Sequence, residues 1–387
     1  MLQFRTPQKT SFIRFFELID VGKPAADMQA IPSRRPSLGG CRSRLRHCVT
    51  GFVMLLILSA CGVKTTEEPP FSPDEWQQYK AAFISPEGRV IDTGNEKRIS
   101  HSEGQGYGML LALAADDRKT FERIWQWTRD NLRREDGLFS WQWVPDQTPA
   151  VPDPNNASDG DLLIAWALAE GGKRWNRKDW IEAARVTARE IRETLLVESN
   201  IGLLLLPGQY GFEHDTHILL NPSYWVFPAF EALNRIDPNP AWRSLSDSGK
   251  RLLSLARYGS AGVPPDWLRL HPDGRLSLPT ETERRRLGFE APRIPLYQCW
   301  DGQRDREVLA AFIRAWPDDD APAWIDLSNG DHAPYSLTLT QRAIRQLVLA
   351  CDGQQATVPV EIREDDYYGS SLSLLSRVAL SAAGISR

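Results

Sequence analysis

Apolar residues recur along this chain at helical spacing from residue 73 almost to its end. Helices are predicted near 73–84, 103–115, 117–133, 158–171, 177–196, 222–235, 240–257, 291–300, 303–316, 336–350 and 367–383. In the stretch from Trp180 to Leu196, for example, Trp180, Ile181, Ala184, Ala188, Ile191 and Leu195 share one face, and Arg and Glu fill the other. Ser72-Pro73-Asp74-Glu75 supplies a capping residue, then Pro and acids, at the first helix start. Strand-like pieces are short and sit between helices. Gly137 to Trp143 alternates with period two, and Leu203 to Leu206 is a brief apolar run. The βαβ rhythm of a doubly wound sheet is missing. About eleven helices in antiparallel pairs, without a strong internal repeat, predict an all-α toroid in one domain over 73–387, with a helical solenoid as the competing architecture.

The first 60 residues differ from the rest. They hold nine Lys/Arg against three Asp/Glu, a net of +6, so the remainder of a chain of net charge −4 carries −10. An acidic body argues against a nucleic-acid partner. Arg42, Arg44 and Arg46 precede the apolar run Gly51 to Leu58, which Leu58-Ser59-Ala60-Cys61 closes. So short a run reads as a secretion signal rather than a membrane span. The closing tetrapeptide resembles the lipobox of bacterial lipoproteins, with Cys61 as the lipidated residue and a plain signal peptide as the alternative. Residues 1–60 are thus expected to be a signal region. Residues 1–27 would precede the true start if translation begins at Met28. Residues 61–72 are expected to be a polar tether. The expected location is the periplasm, with lipid as the sole membrane attachment. Of the five cysteines, Cys299 and Cys351 alone would remain free after processing, and one disulfide between them is open. Cysteine spacing fits no zinc site. The pair His214 and His217 is too sparse a pattern to imply a metal, so neither metal nor cofactor is expected.

Two segments carry the candidate chemistry. In Ser102-Glu103-Gly104-Gln105-Gly106-Tyr107-Gly108-Met109 a carboxylate lies among small residues at the start of an apolar helical run. The glycines allow something to approach the backbone closely. Glu103 is either a general acid or a helix-start charge answering the macrodipole. In Ala157-Ser158-Asp159-Gly160-Asp161, Ser158 is read as a helix cap with Asp161 as its capping partner, and Asp159 is the first-turn acid. Two such termini opening into one cleft would bring two carboxylates together, as glycoside hydrolysis requires.

These segments resemble glycoside hydrolase family 8, and within it the endoglucanases of bacterial cellulose-synthesis operons. Asn221-Pro222-Ser223-Tyr224, Pro265-Asp266-Trp267, Phe289-Glu290-Ala291-Pro292-Arg293 and Asp366-Tyr367-Tyr368-Gly369-Ser370-Ser371-Leu372 agree with it in order, from about 75 to 380. The resemblance implies an (α/α)6 barrel and endo-acting, inverting hydrolysis of β-1,4-glucan. It implies Glu103 as general acid, Asp159 at the distorted sugar, and Tyr224 and Arg293 lining the same subsite. A β-glucan is the implied partner, with a cellulose synthase or secretion complex nearby. Asp161, Trp267, Tyr367 and Trp141 are further sugar-contacting candidates, because an aromatic face stacks on a sugar ring. Toroid core is the other reading of each Trp.

One position departs from the family. Its usual base is an Asp in a Tyr-Asp-Ala-x-Arg context, and this chain has Glu290 there, after Phe289. The extra methylene adds about 1.5 Å of reach. Glu290 is the expected base, and it also lies three residues before Arg293 as a possible salt-bridge partner. Asp215 and Asp301 stay open as substitutes. The departure leaves a second reading, a glucan-binding lipoprotein with weakened turnover. A third is hydrolysis of chitosan, xylan or mixed-linkage glucan.

Overall fold

Two kinds of helix build this chain, and side-chain size separates them. A computed structural model describes residues 69–94, 96–302 and 304–385. The expected leader and most of the tether, Cys61 included, lie outside the described residues. Among the described residues are eleven α-helices: α1 (Pro73–Phe83), α2 (Ser102–Ala114), α3 (Arg118–Asn131), α4 (Ser158–Arg174), α5 (Lys178–Thr194), α6 (Phe227–Ile236), α7 (Pro240–Leu255), α8 (Arg293–Asp301), α9 (Arg306–Ala315), α10 (Leu339–Cys351) and α11 (Tyr367–Ala382). Every residue of α2 from Ser102 to Ala112 is buried, as is every residue of α4 from Ser158 to Ala169. Gly, Ala and Ser dilute the large side chains there, so neighbouring helices fit on all sides. By contrast α5 buries one stripe, including Trp180, Ala184, Ala188 and Ile191, and turns charge outward.

α2 and α4 belong to the inner ring, with α6, α8, α10 and α11. α2 packs on α4, α4 on α6, α6 on α8, α8 on α10 and α11, α10 on α11, and α11 returns to α2, so six helices close the ring. α3, α5, α7 and α9 each lie outside the helix that precedes them, and α10 packs against α8, α9 and α11. α1 covers the closing seam: the Tyr79 hydroxyl lies 2.8 Å from Ser371 Oγ of α11, and Phe83 meets the Tyr367 ring edge-on at 5.5 Å. This is an (α/α)6 barrel. Ser72 caps α1 as the sequence predicts: Glu75 N–H donates to its Oγ (3.1 Å), and Ser72 N–H donates to the Glu75 carboxylate (2.6 Å). Cys299 of α8 and Cys351 of α10 form a disulfide with a Cα separation of 6.1 Å.

Short strands fill the connections. Ser100–His101 pairs with Gln142–Trp143, which fixes the segment entering α2 against the alternating run read from the sequence. Gly202–Leu205 pairs with Leu196–Ser199. Glu213–His214, His217–Leu220, Leu268–Leu270 and Leu276–Ser277 form a four-stranded antiparallel sheet that the hydrophobic pattern did not reveal. Strands of two to four residues carry too few positions to display a period of two. His214 and His217 face each other across the first turn of this sheet, their rings 4.6 Å apart.

Candidate active site

Alternation of inner and outer helices points all the inner N-termini the same way. Glu103 is the second residue of α2, Asp159 the second of α4, Arg293 the first of α8 and Tyr367 the first of α11. Tyr224 closes the 3-10 turn Pro222–Tyr224 that leads into α6. The candidates therefore come from the same level of the ring, at helix ends whose partial positive charge favours carboxylates.

Glycines set how closely those ends meet. A Cβ on Gly160 would lie 2.1 Å from Ser102 Oγ and 2.8 Å from the Glu103 amide nitrogen, and one on Gly106 would lie 2.5 Å from Leu163 Cβ. The close approach expected at the glycines is thus the approach of α4 to α2, which places Asp159 beside Glu103. At Gly104 the neighbour is the Tyr367 hydroxyl, 2.8 Å from where a Cβ would stand.

At the centre is Arg293, wholly buried. Its Nη1 donates to Glu103 Oε1 and, at 2.8 Å, to Asp159 Oδ2, while its Nη2 donates to Glu290 Oε2. The salt bridge expected from the Glu290–Arg293 spacing forms, and the same guanidinium also holds the other two acids. Glu103 Oε1 accepts a further bond from the Tyr107 hydroxyl at 2.7 Å, and the Tyr297 hydroxyl lies 3.2 Å behind it. The second oxygen, Glu103 Oε2, is buried and has no hydrogen-bond partner; His101 Nδ1 is 3.7 Å away. Asn221 Nδ2 donates to Glu290 Oε2 at 3.0 Å.

Three acids against one cation in a buried site perturb one another. Burial, reinforced by the charges of Glu103 and Glu290 and opposed by Arg293, pushes Asp159 up to about 7. Burial likewise pushes Glu290 up to about 7, with Arg293 opposing and Asp266 and Glu103 adding to it. A carboxylate titrating there is suited to taking a proton near neutral pH.

Around this centre lie the aromatic candidates. The Tyr224 ring centre is 5.4 Å from Arg293 Cζ and 6.0 Å from the Trp267 ring. Trp267 stacks on Phe212 at 6.0 Å. Trp141 belongs to the same small apolar cluster, apart from the main core, and its indole N–H donates to Asp153 at 2.8 Å. Trp225 and Trp300, by contrast, are packing residues: Trp225 donates to the Leu245 carbonyl and Trp300 meets Trp166 edge-on. The buried Tyr367 hydroxyl has no hydrogen-bond partner and sits against Gly104.

Several expectations are corrected. Ala157, not Ser158, holds the cap position of α4, and Ser158 Oγ makes no cap bond. Asp161 does not serve as a capping partner. Its oxygens accept from Phe139 N–H (2.8 Å) and Asn156 Nδ2 (2.7 Å), so it braces the loop before α4, and burial pushes it up to about 8. Asp215 is exposed on the turn between two strands, and Asp301 ends α8, about 12 Å along the helix from Arg293. Neither stands where it could replace Glu290. The sequence reading did not name Tyr107, Asn221, His101 or Asp266 as site residues. Tyr107 was within reach, since it follows Glu103 by four residues on the same helix face. His101 caps α2, its Nδ1 accepting from Gly104 N–H at 3.0 Å, although histidine is not among the preferred caps.

An (α/α)6 barrel whose inner N-termini gather buried carboxylates beside aromatic rings defines a carboxylate-dependent glycoside hydrolase. The chain belongs to glycosyl hydrolases family 8, whose model matches residues 45–381. A probable endoglucanase of Novacetimonas hansenii is 37% identical over 330 residues, covering 84% of this chain and 95% of the relative. An endoglucanase of Cellulomonas uda is 39% identical over 278 residues, covering 71% and 77%. The solved structure of an endo-β-1,4-glucanase from Acetobacter xylinum superposes with a TM-score of 0.75 at 37% identity, covering 81% of this chain and 98% of that one.

Proposed function

We propose that this protein is an endo-acting β-1,4-glucanase that inverts the anomeric centre, with Glu103 as general acid, Glu290 as general base and Asp159 holding the sugar at the cleavage point. The observation that carries the reading is the meeting of three buried carboxylates on the Arg293 guanidinium. Arg293 and Tyr107 fix Glu103 through Oε1, which leaves Oε2 to carry a proton to the glycosidic oxygen. As that bond breaks, positive charge develops on the sugar ring, and Asp159 faces it as a carboxylate. Glu290, oriented by Asn221 and Arg293, takes a proton from the water that attacks the opposite face. No covalent intermediate forms in this scheme. Trp267, Tyr224, Tyr367 and Trp141 supply faces and a hydroxyl for neighbouring glucose units. The homologues of the same family that are named endoglucanases support glucan as the substrate class. The Cys61 lipobox and its apolar leader support a lipid-anchored periplasmic enzyme that trims glucan as it is made or exported.

The test is reducing-sugar release by wild type and Glu103→Gln across carboxymethylcellulose, mixed-linkage glucan, xylan and chitosan. Loss of the acid is expected to lower kcat on the β-1,4-glucans by about 10²–10⁴-fold. Full activity of Glu103→Gln on every glycan overturns the catalytic assignment, and a wild type active on xylan or chitosan alone overturns the substrate.

A further inference from the structure

The Pro265-Asp266-Trp267 motif contains a carboxylate that the reaction above does not use. Asp266 is buried, and it accepts four consecutive backbone N–H groups: Gly288 (3.0 Å), Glu290 (3.2 Å) and Ala291 (2.8 Å) on Oδ1, and Phe289 (3.2 Å) on Oδ2. These residues lead into α8, and among them is Glu290 itself. Its own backbone is tied down as well, Asp266 N–H donating to the Arg286 carbonyl at 2.7 Å and Trp267 N–H to that of Arg284 at 2.9 Å. Gly288 is required by the arrangement, because a Cβ there would lie 2.2 Å from Asp266 Oδ2. The Tyr368 hydroxyl of α11 donates to the Phe289 carbonyl at 2.8 Å and holds the loop from its other side.

Aspartate is ordinarily spent on one or two turn amides. Four on one carboxylate fix the position of a whole loop, and a buried anion this close also acts on its neighbours through a low dielectric. We infer that Asp266 is the positioning residue for the general base: it builds the loop that presents Glu290 and keeps its own carboxylate against that loop. The inference rests on the assignment of Glu290 as base. The other groups that face Glu290 are Arg293 of α8, Glu103 of α2, Asp159 of α4, Tyr224 and Asn221 before α6, and Tyr368 of α11. Arg293 is the cation among them, and Asp266 adds to the acidic charge that discourages ionisation of Glu290.

Two variants separate position from charge. Asp266→Asn keeps the shape, deprives one of the amides of its acceptor and removes the charge. Gly288→Ala keeps the charge and displaces the carboxylate. Both are expected to lower kcat on carboxymethylcellulose by about 10–100-fold, the cost of moving a reacting group by an ångström, with KM little changed. The acidic limb of the kcat/KM profile should move to lower pH in Asp266→Asn and stay in place in Gly288→Ala. A purely structural Asp266 would lower thermal stability and leave the limb unmoved. Folded Asp266→Asn with wild-type kcat, or with an unshifted acidic limb, overturns the inference. If Asp266→Asn does not fold, a folded Gly288→Ala with wild-type kcat overturns it. Glu290→Gln keeps the two levels apart. Wild-type turnover in that variant removes the base assignment and this inference together. An inactive Glu290→Gln beside an unaltered Asp266→Asn removes the inference alone.

Discussion

Replacing Glu290 by the family's usual aspartate tests whether the longer side chain belongs to this site's design. In the structure Glu290 reaches Arg293 Nη2 and accepts from Asn221 Nδ2 at 3.0 Å. Glu290→Asp withdraws the carboxylate by about 1.5 Å, which stretches the Asn221 contact to about 4.5 Å, beyond hydrogen-bond range. The backbone cannot follow, because residues 288–291 are held by the Asp266 carboxylate and Phe289 by Tyr368. A hydrogen bond to a charged group contributes roughly 1.5–3 kcal/mol, so weakening both of these in part misplaces the base at a cost of about 2–4 kcal/mol. At 1.36 kcal/mol per tenfold, kcat should fall by about 100-fold. KM on cello-oligosaccharides should hold, because Asp159 and the aromatic walls are untouched. The assay is steady-state reducing-sugar release, with the melting temperature recorded to confirm the fold. If Glu290→Asp matches or exceeds wild type, the contacts of the longer arm are incidental and the reasoning fails.

Two further outcomes follow from packing and charge. Gly160→Ala drives a methyl into Ser102 Oγ and the Glu103 amide, so it should separate α2 from α4, cost about 1–3 kcal/mol in denaturant unfolding and lower kcat through the displaced acids; unchanged stability would show that the helices yield freely. Thermal stability should fall as pH rises from about 5 to 8. Asp159, Asp161, Asp266 and Glu290 titrate at about 7, 8, 6 and 7 in the fold against ordinary values of 3.8 and 4.5, so the native state binds more protons than the unfolded one across that window. Asp117 and Asp326, against the opposing effect of burial, are held down to about 2 by Lys80 and Arg285, and their stabilisation is lost below about pH 4. Melting temperatures by calorimetry should therefore peak near pH 4–5, and a curve rising from pH 5 to 8 would contradict the burial of these acids.

Helices were legible because each element carries enough residues to show its period. The one-sided stripe of α5 was plain in its period, whereas the small-residue runs of α2 and α4 showed their inner place only once the helices were packed. Glu103 and Asp159 could be picked out because an acid at the head of an apolar helix is locally conspicuous. The four-stranded sheet was not legible, since its strands are brief and Leu268–Leu270 pairs with His217–Leu220 across some fifty residues. Asp161 looked like a capping partner because local spacing favours that reading, while its true partners, Phe139 and Asn156, come from the preceding loop. Asp266 is illegible for the same reason: its four donors lie more than twenty residues away, and a bond from side chain to distant backbone leaves no periodic trace.

The ring explains why this site can hold so many acids. Each inner N-terminus offers unpaired backbone N–H groups and a partial positive charge, so an acid there is partly answered before any side chain is added. Gly160, free of a Cβ, lets two such ends approach until their carboxylates share a single arginine. One cation does not neutralise Glu103, Asp159 and Glu290, and the remaining charge in a buried site is relieved by proton uptake, which raises Asp159 and Glu290 toward neutrality. A site needing one group to give a proton and another to take one obtains that inequality from surplus acidity. Lysine in place of Arg293 would keep the charge but lose the fork that reaches α2, α4 and the Glu290 loop at once.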